Sequence, residues 1–495
     1  MFAVYEECTV TIASAPKVSI DSEFVLTVGG KPVRTDNTAA VHNPATKQVI
    51  AEVPVATEAL LDDAVKSART AFVSWSQTPL AERQAAVAAV GDRVAEHADH
   101  FMTLLTLEQG KPRAMAEWEV SGSIMWFHEI AKQSLPNEIV LDTGNRKVMS
   151  RHTPLGVVGA IVPWNFPILL AVWKIAPALV AGNTVIVKPS PFTPLCDLKL
   201  VELVQDLLPP GVLSAVSGDD DLGRWMTAHN GIAKIAFTGS TETGKHVMAS
   251  AAGTLKRITL ELGGNDPAIV LDDVDPEIIA PKLFWAAFQN NAQFCNAAKR
   301  IYIHDSVYDK VRDALVAYAG TVVVGDGSHP QTQLGPIQNE PQYRKVLEYF
   351  DDCRANGYSF ALGGQVDHDA PGWFVPVTLV DNPPDNSRLV SEEPFGPILP
   401  LLRFHDEDEV IARANATPWG LGATVWGRDL QRVKRIGLQL EAGTVWLNEV
   451  HEYSPHQVFG GHKQSGIGAE NSLHGLAEYT NHQTITMNKA DGVVA

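Results

Sequence analysis

A chain of 495 residues, 45% hydrophobic and 19% charged, is too long for one ordinary domain and too apolar for a disordered polymer, so two or three packed domains are expected. Its 57 acidic residues against 39 basic ones leave a formal charge of −18, which argues against nucleic acid or an anionic membrane face as a partner. Four scattered cysteines, Cys8, Cys196, Cys295 and Cys353, form no C-x-x-C pair; this is neither a disulfide framework nor a zinc site, and it fits a reducing compartment without a bound metal.

At the start, MFAVYEECTVTIAS carries two glutamates and no basic cluster ahead of its apolar residues. It reads poorly as a targeting peptide, so a cytoplasmic location is expected. NTAAVHNPATKQVIAEVP (37–54) is a turn-rich β segment, and from 57 to 133 apolar residues recur at three and four, which predicts helices. Between 151 and 217 the short apolar runs LGVVGAIV, NTVIVKPS and LSAVSG alternate with the helix-like ILLAVWKIAPALVAG and PLCDLKLVELVQDLL, and IAKIAFTGS is followed by ETGKHVMASAAG. Such alternation is the pattern of a parallel sheet covered on both faces, with ligands bound at the strands' carboxyl ends. The longest apolar run, 161–181, is broken by prolines, Trp164, Asn165 and Lys174, which excludes a membrane span there. A second α/β series runs from 262 to 466 through PAIVL, RIYIH, WFVPVTLV, PILPLLRF, GATVWG and GTVWLN. The period-two run EYTNHQTITMNK near the end predicts a lone strand that pairs with another part of the assembly.

Several residues could carry chemistry, and each has a plainer reading. Gly239, Gly244 and Lys245 match G-x-x-x-x-G-K after an apolar strand, but His246 stands where a nucleotide hydrolase needs Ser or Thr. The loop still offers Gly239 and Ser240 to a pyrophosphate at a helix N-terminus. Lys188 is either a solvated loop lysine or a ribose contact, and Asn165 either a turn residue or an oxyanion donor. Glu261 is either a turn carboxylate or a general base with a raised pKa. Cys295, after three amides in FWAAFQNNAQFCNAAKR, is by composition alone a small buried hydrophobe.

Together these segments resemble the aldehyde dehydrogenase family: PWNFP (163–167), KPS (188–190), FTGSTETG (237–244), ELGGNDP (261–267), QFC (293–295), EEPFGP (392–397) and FGGHKQSGIG (459–468) occur in one order along nearly the whole chain. The resemblance implies an α/β fold in three parts. These are a Rossmann-like dinucleotide-binding domain (1–131 and 155–261), an α/β catalytic domain (262–468), and a small β flap for oligomerisation (132–154 and 469–495), giving a homodimer or homotetramer. It implies that Cys295 attacks an aldehyde, that Asn165 and the Cys295 N–H hold the oxyanion, and that Glu261 activates the water that releases the acid. Lys188, Ser190, Gly239, Ser240, Glu393, Phe395 and Trp164 match cofactor positions. Phe166, Trp173, Phe294 and Tyr453 match a substrate tunnel, and Lys174 and Glu470 a proton relay.

Two departures stand out. Ala292 occupies the place of a usual glycine, and Pro191 replaces a glutamate common in NAD-specific members. NAD is favoured, with NADP left open. The aromatic tunnel positions favour an apolar or aromatic aldehyde. Glu449, His451 and Glu452 near the tunnel mouth keep a polar or cationic substrate open. A CoA-acylating enzyme and a non-catalytic binding protein are the rivals, and the presence of Cys295, Glu261 and Asn165 weighs against both.

Overall fold

The computed structural model describes residues 23–490. The N-terminal stretch, with Cys8, lies outside the described residues. The first sheet has eight strands in the order Lys31–Val33, Leu26–Val28, Leu213–Ala215, Thr184–Lys188, Val157–Ile161, Lys234–Thr238, Arg257–Glu261 and Gly466–Ile467. The strands from Leu213–Ala215 to Arg257–Glu261 run parallel, and an antiparallel partner closes each side. VVGAI, TVIVK and KIAFT are buried along their whole length, as expected for strands covered on both faces.

The helical region is four helices, Glu58–Trp75, Leu80–Glu96, Ala98–Glu108 and Arg113–Ala131. Pro79 and Pro112 mark two of the starts, where the missing N–H costs nothing. Helix Pro167–Ala181 starts on Pro167, is buried on nearly every side, and stops at Gly182 (φ 94°), the left-handed position that glycine fills without strain.

The second sheet has seven strands in the order Ser359–Leu362, Thr378–Asp381, Ile398–Phe404, Ala298–His304, Asp266–Val270, Gly422–Trp426 and Thr444–Leu447. All neighbours are parallel except the first pair. The expected strand WFVPVTLV is shorter than its apolar run, forming only over Thr378–Asp381, because Pro376 has no N–H for a ladder.

A third, antiparallel sheet unites Glu138–Asp142, Arg146–Pro154 and Thr480–Asn488. The terminal run therefore finds its partner within the same chain. On both sides of residue 468 the chain packs against the first sheet and its helices. Gly466–Ile467 pairs with Leu260 and Glu261 in the first sheet, and helix Ser472–Ala477 packs on Pro167–Ala181.

Candidate active site

The site begins at strand ends. Lys188, Thr238 and Glu261 are the last residues of three strands of the first sheet. Pairing of Gly466 with Glu261 draws the following segment alongside. Glu470 there forms an ion pair with Lys174 at 2.5 Å, and both side chains are buried. Lys174 also donates to Thr238 Oγ1 at 2.8 Å.

The cysteine loop leaves helix Pro276–Phe288 through Asn290, Asn291 and Ala292, with φ of 51°, 57° and 60°. Left-handed backbone suits asparagine and strains alanine. The methyl in the usual glycine position is thus held in a glycine's conformation. Gln293 anchors the turn: its Oε1 accepts the Gln338 N–H at 2.8 Å, and its Nε2 donates to the Pro336 carbonyl at 3.2 Å.

Cys295 and Glu261 open onto one cavity. The four expected tunnel residues, Phe166, Trp173, Phe294 and Tyr453, all line it. Phe166 and Phe294 lie 4.7 Å apart by ring centroids, and Trp173 meets Tyr453 edge-on at 6.4 Å. Trp118, Leu169, Leu170, Leu421 and Phe459 complete the apolar wall. None of these belongs to a short signature except Phe459, so the sequence carries little sign of them. His451 packs on Phe294 at 4.5 Å. Its ring lies 2.8 Å from Gln289 Oε1 and 3.2 Å from the Asn296 carbonyl, and burial pulls its pKa down to about 4 against the pull of the Asn296 carbonyl. Asn296 Nδ2 donates to the Tyr453 hydroxyl at 2.6 Å.

Burial dominates the electrostatics. It raises the Glu261 carboxyl well above its usual range; Glu470 adds to the rise and Lys174 opposes it. Both Glu261 oxygens lack a hydrogen-bond partner among the described residues, which suits a carboxyl awaiting a water. Burial also pushes the Cys295 thiol up to about 12, with Lys299 opposing and Asp266, Glu393 and Glu261 reinforcing.

Asn165 is buried beside this loop, outside the lining of the cavity. Its Nδ2 donates to the Gln293 carbonyl at 3.1 Å, which engages one of the amide's two hydrogens. The Cys295 N–H has no acceptor among the described residues.

The expected cofactor residues fall into two groups. Lys188 is buried, with only a long 3.4 Å contact to the Pro189 carbonyl, and burial lowers its pKa to about 8 against the pull of Asp220 and Asp219. Its ammonium is therefore free for a ligand's hydroxyls. Ser190 holds its own loop, its Oγ accepting the Phe192 N–H at 3.3 Å. Ser240 caps helix Thr241–Ala251 by accepting the Thr243 N–H at 3.2 Å. The Gly239 N–H is not available to a phosphate, because it donates to the Glu261 carbonyl at 3.0 Å. The free donors are the first N–H groups of the helix that follows. On the other side Trp164 and Phe395 meet edge-on at 5.3 Å. Phe395 is held at φ 53°, and Glu393 accepts the Gly264 N–H at 3.1 Å. Among the described residues no group of three or more His, Cys, Asp or Glu could hold a metal ion. No helix among them is long and apolar enough to cross a membrane.

Comparison with known proteins agrees with this arrangement. The model of the "Aldehyde dehydrogenase family" matches residues 33–485. A probable aldehyde dehydrogenase of a Pseudomonas species is 41% identical over 479 residues, covering 96% of each chain. Phenylacetaldehyde dehydrogenase of Pseudomonas fluorescens is 37% identical, covering 93% of this chain and 95% of its own. The NAD+ complex of an aldehyde dehydrogenase from Bacillus cereus superposes with a TM-score of 0.92 at 35% identity, over 94% of this chain and 97% of that one. With its two largely parallel sheets meeting at a cysteine, a glutamate and an aromatic cavity, the chain belongs to the aldehyde dehydrogenase family.

Proposed function

We propose that the protein oxidises an apolar or aromatic aldehyde to its carboxylic acid with NAD, through a thioester on Cys295. The observation that carries this reading is the enclosure of Cys295 and Glu261 in one cavity whose walls are aromatic and aliphatic. The 37% identity to a phenylacetaldehyde dehydrogenase supports the same substrate class.

The Cys295 sulfur attacks the aldehyde carbon as its proton passes to the Glu261 carboxylate, which opens onto the same cavity. The remaining Asn165 amide hydrogen and the Cys295 N–H stabilise the oxyanion. A bound nicotinamide would supply the acceptor for the hydride that the aldehyde carbon must lose for a thioester to form on Cys295. Glu261, held in an apolar setting, takes a proton from water as it adds to the thioester. The Glu470–Lys174 pair behind it gives that proton a way out. Lys188 and Glu393 hold ribose hydroxyls, the N–H groups after Ser240 hold the pyrophosphate, and Trp164 and Phe395 flank the nicotinamide side. Asp219 and Asp220 act on Lys188 and would repel a 2′-phosphate, which supports NAD despite Pro191. We further assign 1–131 with 155–261 to cofactor binding and 262–468 to catalysis. Segments 132–154 and 469–495 form the flap, a second copy covers its exposed face, and the enzyme works in the cytoplasm.

The test is NADH production over aliphatic, aromatic, amino and acidic aldehydes, with and without CoA. Arylacetaldehydes should give the highest kcat/KM, CoA should not raise turnover, and NADP should substitute poorly. Cys295→Ala should abolish turnover, and Glu261→Gln should leave a first-turnover burst with steady state slowed at least about 100-fold. Retained turnover without the cysteine, or CoA dependence, overturns the reading. Because burial holds the thiol pKa high, the wild-type burst rate should keep rising between pH 7 and 9 rather than level off.

A further inference from the structure

Lys299 lies four residues after the nucleophile, in strand Ala298–His304. Its side chain is buried, and its ammonium makes two directed contacts. It donates to the main-chain carbonyl of Cys295, and it pairs with Glu393 Oε1 at 3.1 Å. It also sits 5.9 Å from the centre of the Phe395 ring. One cation thus ties the thiol's own peptide to the carboxylate and ring assigned above to the cofactor.

Gly263 and Gly264 make that approach feasible. A Cβ on Gly263 would collide with Glu393, and one on Gly264 would meet the Cys295 carbonyl at 2.8 Å and Asp266 Oδ1 at 2.6 Å. Asp266 is buried, and its carboxylate faces the Gly422 main chain. Burial lifts its pKa to about 7, and Lys299 is the largest influence keeping it down. The charged and titratable groups around the thiol are therefore Lys299 on the strand that follows it, Glu261 at the end of a first-sheet strand, Asp266 at the start of a second-sheet strand, and Glu393 from the EEPFGP loop. His451 and the Tyr453 hydroxyl face the same region from the 449–453 loop. Of these, Lys299 alone favours the thiolate.

We propose that Lys299 is a positioning residue for the oxidation, its ammonium joining the Cys295 peptide to Glu393 and setting the charge felt by the thiol against the buried Asp266. This rests on the assignment of Cys295 as nucleophile. The Lys299–Asp266 balance is a feature of these side chains rather than of the catalytic trio. Removing the cation should leave the thiol with three acidic neighbours and free Glu393 to swing. Removing the Asp266 charge should act in the opposite direction.

The experiment is peptide-resolved iodoacetamide alkylation of Cys295 at pH 7, 8 and 9 in the full-length protein, with KM for NAD measured alongside. Lys299→Met should slow alkylation at pH 8 roughly tenfold and raise KM for NAD. Lys299→Arg should recover most of the rate, and Asp266→Asn should raise it above wild type. A rate unchanged in Lys299→Met, or lowered in Asp266→Asn, overturns the proposal. Should Lys299→Met fail to fold, Lys299→Gln is read in its place, and the sign of the Asp266→Asn change still decides it. Alkylation reads the thiol directly, so turnover surviving in Cys295→Ala would refute the nucleophile assignment and leave the charge effect measured on its own.

Discussion

Ala292 holds a backbone conformation that its side chain disfavours. At φ 60° a left-handed alanine stores roughly 1 kcal/mol, part of which glycine would return as extra freedom in the unfolded chain. Ala292→Gly should therefore stabilise the protein by about 0.5–1 kcal/mol, read as a shift in urea midpoint at unchanged slope. A loss of stability would mean that the methyl packs favourably enough to outweigh the strain. The neighbouring amides illustrate how much a sequence conceals at this scale. Asn290 and Asn291 are visible as turn formers, and two left-handed asparagines beside an alanine follow local rules. That Asn290 Nδ2 reaches back to the Asn165 carbonyl at 3.1 Å depends on a contact 125 residues away in the chain and has no local signature.

Between elements, the buried Lys111–Glu119 pair joins helix Arg113–Ala131 to the loop that carries Asn165. Lys111 Nζ also donates to the Asn165 carbonyl at 3.0 Å, and Glu119 Oε1 accepts the Leu169 N–H at 3.3 Å near the start of helix Pro167–Ala181. Burial lowers the lysine pKa and raises the glutamate's, each held in check by the other. Lys111→Met should strand a carboxylate in the core and cost about 3–5 kcal/mol. Adding Glu119→Gln should recover much of that in chemical denaturation. If the double variant is no more stable than the single one, the ion pair is not what joins these elements. The helices themselves were legible from their 3.6-residue periodicity, and the strands from unbroken apolar runs. The pairing of two buried charges across elements was not, because either residue alone reads as surface.

Across the whole molecule, the three-stranded sheet presents Ile139, Val140 and Leu141 at 48%, 59% and 42% exposure on its outer strand. Three consecutive exposed apolar residues on an edge strand are a liability that a second copy would cover. Val140→Lys with Leu141→Glu should reduce the particle mass by light scattering and leave the fold intact by circular dichroism. An unchanged mass would remove this edge from the interface.

The motifs and their order were enough to point to the family and the two α/β series, and to single out Cys295, Glu261 and Asn165 as the candidates for the chemistry. These depend on local chemistry that each segment carries with it. The tertiary structure alone decided that Gly466–Ile467 closes the first sheet and carries Glu470 to Lys174. It also engages the Gly239 N–H within the backbone, and sets Lys299 between the Cys295 carbonyl and Glu393. Such outcomes arise from the packing of segments far apart in the chain, where burial sets the value of each charge and no local pattern records it.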